Sequence, residues 1–141
     1  MKYSKATNYA LHTMVYLTLA HKGQSVGVDQ LAKTQNLSPT YLSKILTKLV
    51  KAGLIESTPG VKGGYSIVKH STDITFLDVI HAIEGKTTLF SCSLEHGESK
   101  NGECLIENVM IEAEKKMTND LGSKSIMEIA KKIEATRDHK K

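Results

Sequence analysis

The stretch Asn36-Leu-Ser-Pro-Thr-Tyr-Leu-Ser-Lys-Ile-Leu-Thr-Lys-Leu-Val-Lys51 reads as one capped amphipathic helix. Ser38 supplies a hydroxyl N-cap and Pro39 takes the first helical position, where its missing N–H is no loss. Leu42, Ile45, Leu46, Leu49 and Val50 recur at three- and four-residue spacing and form one apolar stripe. The other face carries Thr40, Tyr41, Ser43, Lys44, Thr47, Lys48 and Lys51, with no acid among them. Such a helix lies on a core with its greasy side and offers hydrogen-bond donors and positive charge on the other. Taken alone it is also what an ordinary surface helix looks like; its neighbours decide.

Upstream, the pattern predicts a first helix capped by Ser4 and running to about His21, where Lys22-Gly23 stops it. Ala6, Ala10, Met14 and Leu17 share its inner face, with Leu11, Val15 and Leu19 beside them. A short second helix, from about Val28 to Gln35, turns Leu31 and Ala32 inward and places Asp29 in its first turn, favourably for the helix dipole. Asn36-Leu37 then turns the chain. Short helix, tight turn and longer capped helix have helix-turn-helix spacing.

Downstream, Gly53 stops the third helix. Leu54 to Thr58 reads as a strand, Pro59-Gly-Val-Lys-Gly-Gly64 as a turn, and Tyr65 to Lys69 as the returning strand, with Tyr65 and Ile67 on one face. A hairpin directly after a helix-turn-helix, with Lys62 near its tip, is the order of a winged helix. A generic hairpin would account for the glycines equally well. The fold class expected is mainly α with one small β-hairpin.

Thr75 can cap a fourth helix over Phe76 to Glu84, ended by Gly85. From Lys86 to Gly102 the chain is polar and loop-like. A long helix follows from near Glu103 to about Leu121, with Ile106, Val109, Met110, Ala113, Met117 and Leu121 as its stripe. Ser123 or Ser125 starts a last short helix carrying Ile126, Ile129 and Ile133, and the tail frays from Arg137. The organisation is thus a winged helix-turn-helix over 1–85, a cysteine-bearing loop over 86–102, and a long helix with a final helix over 103–141. The long stripe needs a covering surface, either a second copy of the chain or the first helix.

The 141 residues include 19 basic and 15 acidic side chains, a formal charge of +4. That balance permits a polyanionic partner without requiring one. Arg137 is the single arginine, so phosphate would be met by lysine, a point charge lacking arginine's planar fork. The chain has neither a long uncharged apolar run nor a signal peptide, and a cytoplasmic location is expected. Two cysteines in that setting are buried thiols, ligands or redox groups rather than a disulfide framework.

Tyr3-Ser-Lys-Ala-Thr-Asn-Tyr-Ala-Leu11, Leu31-Ala32, Leu37-Ser-Pro-Thr-Tyr-Leu-Ser-Lys-Ile-Leu46, Lys51-Ala-Gly-Leu-Ile55 and Gly63-Gly-Tyr65, in this order, resemble the Rrf family of bacterial regulators. The resemblance extends over nearly the whole chain. It implies a homodimeric winged-helix protein that binds double-stranded DNA at a palindromic operator and regulates transcription, most simply as a repressor. By position it implies a third helix in the major groove, with Ser38, Thr40, Tyr41, Ser43, Lys44, Thr47 and Lys48 facing it. It likewise implies a wing in the minor groove through Lys62, Gly63 and Gly64, and subunits paired by the long helix.

Two departures from the family stand out. Family wings often carry an arginine just before the glycines, suited to a narrow minor groove; Pro59 holds that place here. Several relatives bind an iron–sulfur cluster with three cysteines, whereas here Cys92 and Cys104 occupy the outer positions and Glu98 the middle one. Clusters are held mainly by thiolates. A redox-sensing pair, Cys92 and Cys104, is therefore the first expectation, with no cofactor. The alternative is a cluster on Cys92 and Cys104, completed by His96 or by a ligand from a second copy. Both thiols read equally well as inert small residues.

His81 reads as a packing residue, and His12 and His21 as solvated. No nucleophile elbow, phosphate loop or acid pair is present, which speaks against an enzyme. A rival reading of a different class is a winged helix that binds a protein partner, such as a metabolic enzyme.

Overall fold

The computed structural model describes residues 3–20, 24–68, 73–86, 89–90 and 104–139. Along the chain run α1 (Lys5–Leu19), α2 (Val28–Gln35), α3 (Pro39–Lys51), β1 (Ile55–Thr58), β2 (Gly64–Ile67), α4 (Phe76–Glu84), α5 (Leu105–Gly122) and α6 (Ile126–His139). The expected helices and hairpin are all found, most within two residues of the expected ends. The expected stop at Lys22-Gly23 and the strand end at Lys69 lie outside the described residues.

Local chemistry explains most boundaries. Ser38 Oγ accepts the Tyr41 N–H at 3.1 Å and Pro39 opens α3. Asn36, between α2 and α3, takes the left-handed conformation (φ 56, ψ 48), which a short polar side chain tolerates. Leu37 N–H then reaches back to the Ala32 carbonyl at 2.9 Å. At α4, Thr75 and Asp78 form a full capping box, each side chain accepting the other's backbone N–H at 3.1 and 3.0 Å.

Ser4 departs from expectation. It stands at the N-cap of α1 with extended backbone but makes no side-chain cap bond; its hydroxyl donates to Glu84 Oε1 instead, at 2.7 Å. The carboxylate is the stronger acceptor, and the fold brings it within reach. The tail differs as well. α6 is not a short helix fraying at Arg137 but continues to His139, because Ser125 Oγ caps its start and its inner face is buried.

One hydrophobic core joins these elements. Met14 of α1, Leu31 of α2, Leu42, Leu46 and Leu49 of α3, Ile55 of β1, Val79 of α4, and Ile126 and Ala130 of α6 all belong to it. Each large apolar side chain fully buried there contributes roughly 1.5–3 kcal/mol. Two threonines share the buried face of α1, and both are partnered. Thr7 donates to Glu84 Oε1 at 2.6 Å, and Thr13 Oγ1 accepts from Gln35 Nε2 at 2.7 Å. Without such partners a buried hydroxyl would be a net cost.

β1 and β2 pair antiparallel, Ile55 opposite Ile67 and Ser57 opposite Tyr65. Val26, just ahead of α2, bridges the other edge of β2 by exchanging hydrogen bonds with Tyr65 at 2.9 and 2.8 Å. The hairpin is thereby fastened to the entry of the helix-turn-helix. A second small ladder, Phe76 N–H to the Lys124 carbonyl and Ile126 N–H to the Ile74 carbonyl, both 2.9 Å, ties the start of α4 to the α5–α6 turn. α6 lies along α1, whereas α5 touches α4 and has no buried residue over its 18 positions.

Candidate nucleic-acid interface

With its stripe spent on the core, α3 presents Thr40, Tyr41, Lys44, Thr47, Lys48 and Lys51 to solvent, while Ser43 is half-buried. Among the described residues none of these lysines is within ion-pair distance of a carboxylate. Their charge is available to a polyanion. Two hydroxyls are partly committed. Ser38 Oγ caps the helix, and Thr47 Oγ1 donates to the Ser43 carbonyl at 2.8 Å, leaving its lone pairs free as acceptors.

The hairpin tip projects Pro59, Gly60, Val61 and Lys62 into solvent. Gly63 and Gly64, singled out from sequence as wing residues, have folding reasons of their own. A Cβ on Gly63 would collide with the Thr58 carbonyl oxygen. One on Gly64 (φ +148) would collide with the Val26 carbonyl. They shape the turn and let the wing approach α2; the side chains actually offered at the tip are Val61 and Lys62. Val61, the most exposed large apolar side chain among the described residues, was missed by sequence reasoning because single surface valines carry no signal.

Behind this surface the first two turns of α1 form a support that the sequence did not reveal. Tyr9 meets Tyr41 edge-to-face, ring centroids 6.0 Å apart and planes at 90°. Glu84, last residue of α4, accepts three bonds on Oε1: Thr7 Oγ1 at 2.6 Å, Ser4 N–H at 2.7 Å and Ser4 Oγ at 2.7 Å. These donors, Thr7 foremost, hold its carboxyl below the usual range; partial burial opposes them and the Lys48 charge assists. Tyr3 OH lies 3.8 Å from Met117 Sδ of α5. One short segment therefore touches α3, α4 and α5.

A basic α3 face beside a winged hairpin matches known proteins along almost the whole chain. The model of the Rrf2 family, described as iron-dependent transcriptional regulators, matches residues 3–132. The chain belongs to the Rrf2 family. Rrf2 proteins are DNA-binding transcriptional regulators and not enzymes, and this Rrf2 chain is one of them. It is 32% identical to the YwgB protein of Bacillus subtilis over 138 residues, 94% of this chain and 86% of YwgB. It is 26% identical to the regulator IscR of Xenorhabdus nematophila over 134 residues, 95% of this chain and 82% of IscR. Among solved structures it resembles CymR, the global cysteine regulator of B. subtilis, with a TM-score of 0.72 and 26% identity over 93% of this chain and 97% of that one. CymR of Staphylococcus aureus in its oxidized form gives a TM-score of 0.73 at 25% identity, covering 92% of this chain and 96% of that one.

The sensor candidates of this Rrf2 chain divide. Cys92, Glu98 and His96 lie outside the described residues. A helix start near Glu103 would put Cys104 in the first turn; it is instead a free thiol at the N-cap, one residue ahead of α5, and its Sγ accepts the Glu107 N–H at 3.4 Å. It is 6% exposed, so the thiol is enclosed and not open to solvent as a reactive cysteine would be. Among the described residues no three ligand-type side chains converge. No helix among them is long and apolar enough to cross a membrane.

Proposed function

We propose that this Rrf2 chain acts as a homodimeric repressor in the cytoplasm. Two copies pair through α5, set their α3 helices into successive major grooves of a palindromic operator, and direct the wings toward the minor groove. The observation that carries this reading is α5 itself. Leu105, Ile106 and Val109 are 78%, 70% and 68% exposed on a helix that has no fully buried residue within its own subunit. A second copy related by a two-fold axis covers both bare rows at once and makes the protein's symmetry match a palindrome. Thr40, Tyr41, Ser43 and Lys44 would face base edges, with Ser38, Thr47, Lys48 and Lys62 toward the backbone. Bound across a promoter, such a dimer excludes the polymerase.

Sedimentation velocity tests the pairing. The wild type should run as a dimer and Val109→Asp as a folded monomer with sharply weakened DNA binding; a monomeric wild type at micromolar concentration overturns the reading.

Signalling by thiol chemistry at Cys92 and Cys104 completes the proposal, and two facts support it. A relative, S. aureus CymR, has been solved in an oxidized form. The Cys104 sulfur stands buried at the start of α5, which bears on the consequence of oxidation and not on its ease. Peroxide would convert the thiolate to sulfenic acid with release of hydroxide. The Cys92 thiol would then displace water and form a disulfide. An enclosed sulfur cannot gain an oxygen or a second sulfur without moving the beginning of α5, and with it the spacing of the two α3 helices, which must match roughly 34 Å of DNA. Equal DNA affinity before and after peroxide, with and without Cys104→Ser, would remove this mechanism. Were the chain instead a protein-binding module, DNA affinity would be weak and would not distinguish one sequence from another.

A further inference from the structure

We propose that Tyr9 is a positioning residue for sequence recognition, acting through Tyr41; the proposal rests on the DNA-binding reading of α3. Tyr41 is the third residue of α3, its N–H held by Ser38 Oγ and its side chain 39% exposed. A tyrosine so placed on bare surface would sample several rotamers, and ordering it on DNA would cost entropy at that moment. Here its ring stands at 90° to the ring of Tyr9. That is the edge-to-face arrangement favoured by aromatic quadrupoles.

Tyr9 is itself restrained. It is partly buried against the core, and its helix is pinned a turn earlier by the bonds from Ser4 and Thr7 to Glu84. The ring beneath Tyr41 is thus a fixed platform. It presents the Tyr41 hydroxyl in one direction, beside Thr40 and Lys44 on the same exposed face. Pre-orientation of this kind sharpens discrimination between sequences more than it raises affinity for DNA in general, because backbone contacts by lysine do not depend on where one phenol points.

The test uses duplexes selected by the full-length wild-type protein from a random 30-base-pair pool, with an unselected duplex as reference. Tyr9→Phe keeps the ring and should match wild type. Tyr9→Leu should lose about three- to tenfold on the selected duplex, with little change on the reference. Tyr41→Phe should lose a similar amount, and the double variant no more than Tyr41→Phe alone, since both changes remove one interaction. Additive losses, or a folded Tyr9→Leu protein that binds like wild type, overturn the proposal. A wild type that selects no sequence removes the DNA-recognition reading itself, a separate outcome. Should Tyr9→Leu fold poorly by circular dichroism, proton NMR of the wild type decides. Ring-current-shifted resonances in one of the two tyrosines support the platform, and averaged random-coil shifts overturn it.

Discussion

The hydroxyl of Thr7 donates to Glu84 Oε1 at 2.6 Å across 77 residues of sequence, and Ser4 adds two further bonds to the same oxygen. This bond joins the beginning of α1 to the end of α4, the two ends of the winged-helix core.

A pH dependence follows from that pairing. The folded-state pKa of Glu84 lies below its unfolded value, through the Thr7 and Ser4 hydrogen bonds. Its contribution is therefore fully present above the unfolded carboxylate range and is lost as pH falls through the lower folded value. Urea denaturation between pH 7 and pH 3 should show the wild type losing stability more steeply than Glu84→Gln in the acid limb. Parallel curves for the two proteins would contradict the assignment.

Leu46 has no exposed surface and lies in the shared core beneath the basic face of α3. Leu46→Ala should cost about 2–5 kcal/mol in chemical denaturation, the range for cavities left by a buried leucine. A loss under 1 kcal/mol would mean that the site collapses or was never packed.

Gly64→Ala should be destabilising and should weaken DNA binding together, though the new methyl group is not aimed at DNA. The position combines φ +148 with a backbone carbonyl where the Cβ would go. Strained backbone of this kind costs on the order of 1–3 kcal/mol, and relief would shift the wing away from Val26. Unchanged melting temperature and unchanged affinity would show that the wing is not fastened there.

On α3 the charged and hydroxyl side chains should separate by readout. Lys48→Ala is expected to weaken all duplexes alike and to reduce the log–log salt slope by about 0.9. Thr40→Ala or Lys44→Ala should instead change the preferred sequence in a selection experiment. A Lys44→Ala protein with an unaltered preference would contradict the base-facing role.

Reading the chain in one dimension worked wherever the controlling interactions were local. Ser38, Pro39, Asn36 and the Thr75–Asp78 pair act within three or four residues, so the boundaries of α3 and α4 were legible directly. The apolar row of α5 was legible too, and the structure leaves Ile106 and Val109 bare within the subunit. Legibility failed where a side chain had a distant alternative. Ser4 read as a cap because its neighbours form a helix; its partner is 80 residues away. Gly63 and Gly64 read correctly as residues of a tight turn; which backbone passes close to them, the Thr58 and Val26 carbonyls, is set by the fold.

Periodicity, caps and glycine stops are short-range physics, and from them alone the amino-acid order determined six helices, one hairpin and an acid-free face on the third helix. What tertiary structure decided was which groups became partners. It brought Tyr9 beneath Tyr41, joined Glu84 to Ser4 and Thr7, closed the core with α6, and enclosed Cys104. Those outcomes depend on distances between segments far apart in the chain, which only the packing of the core sets.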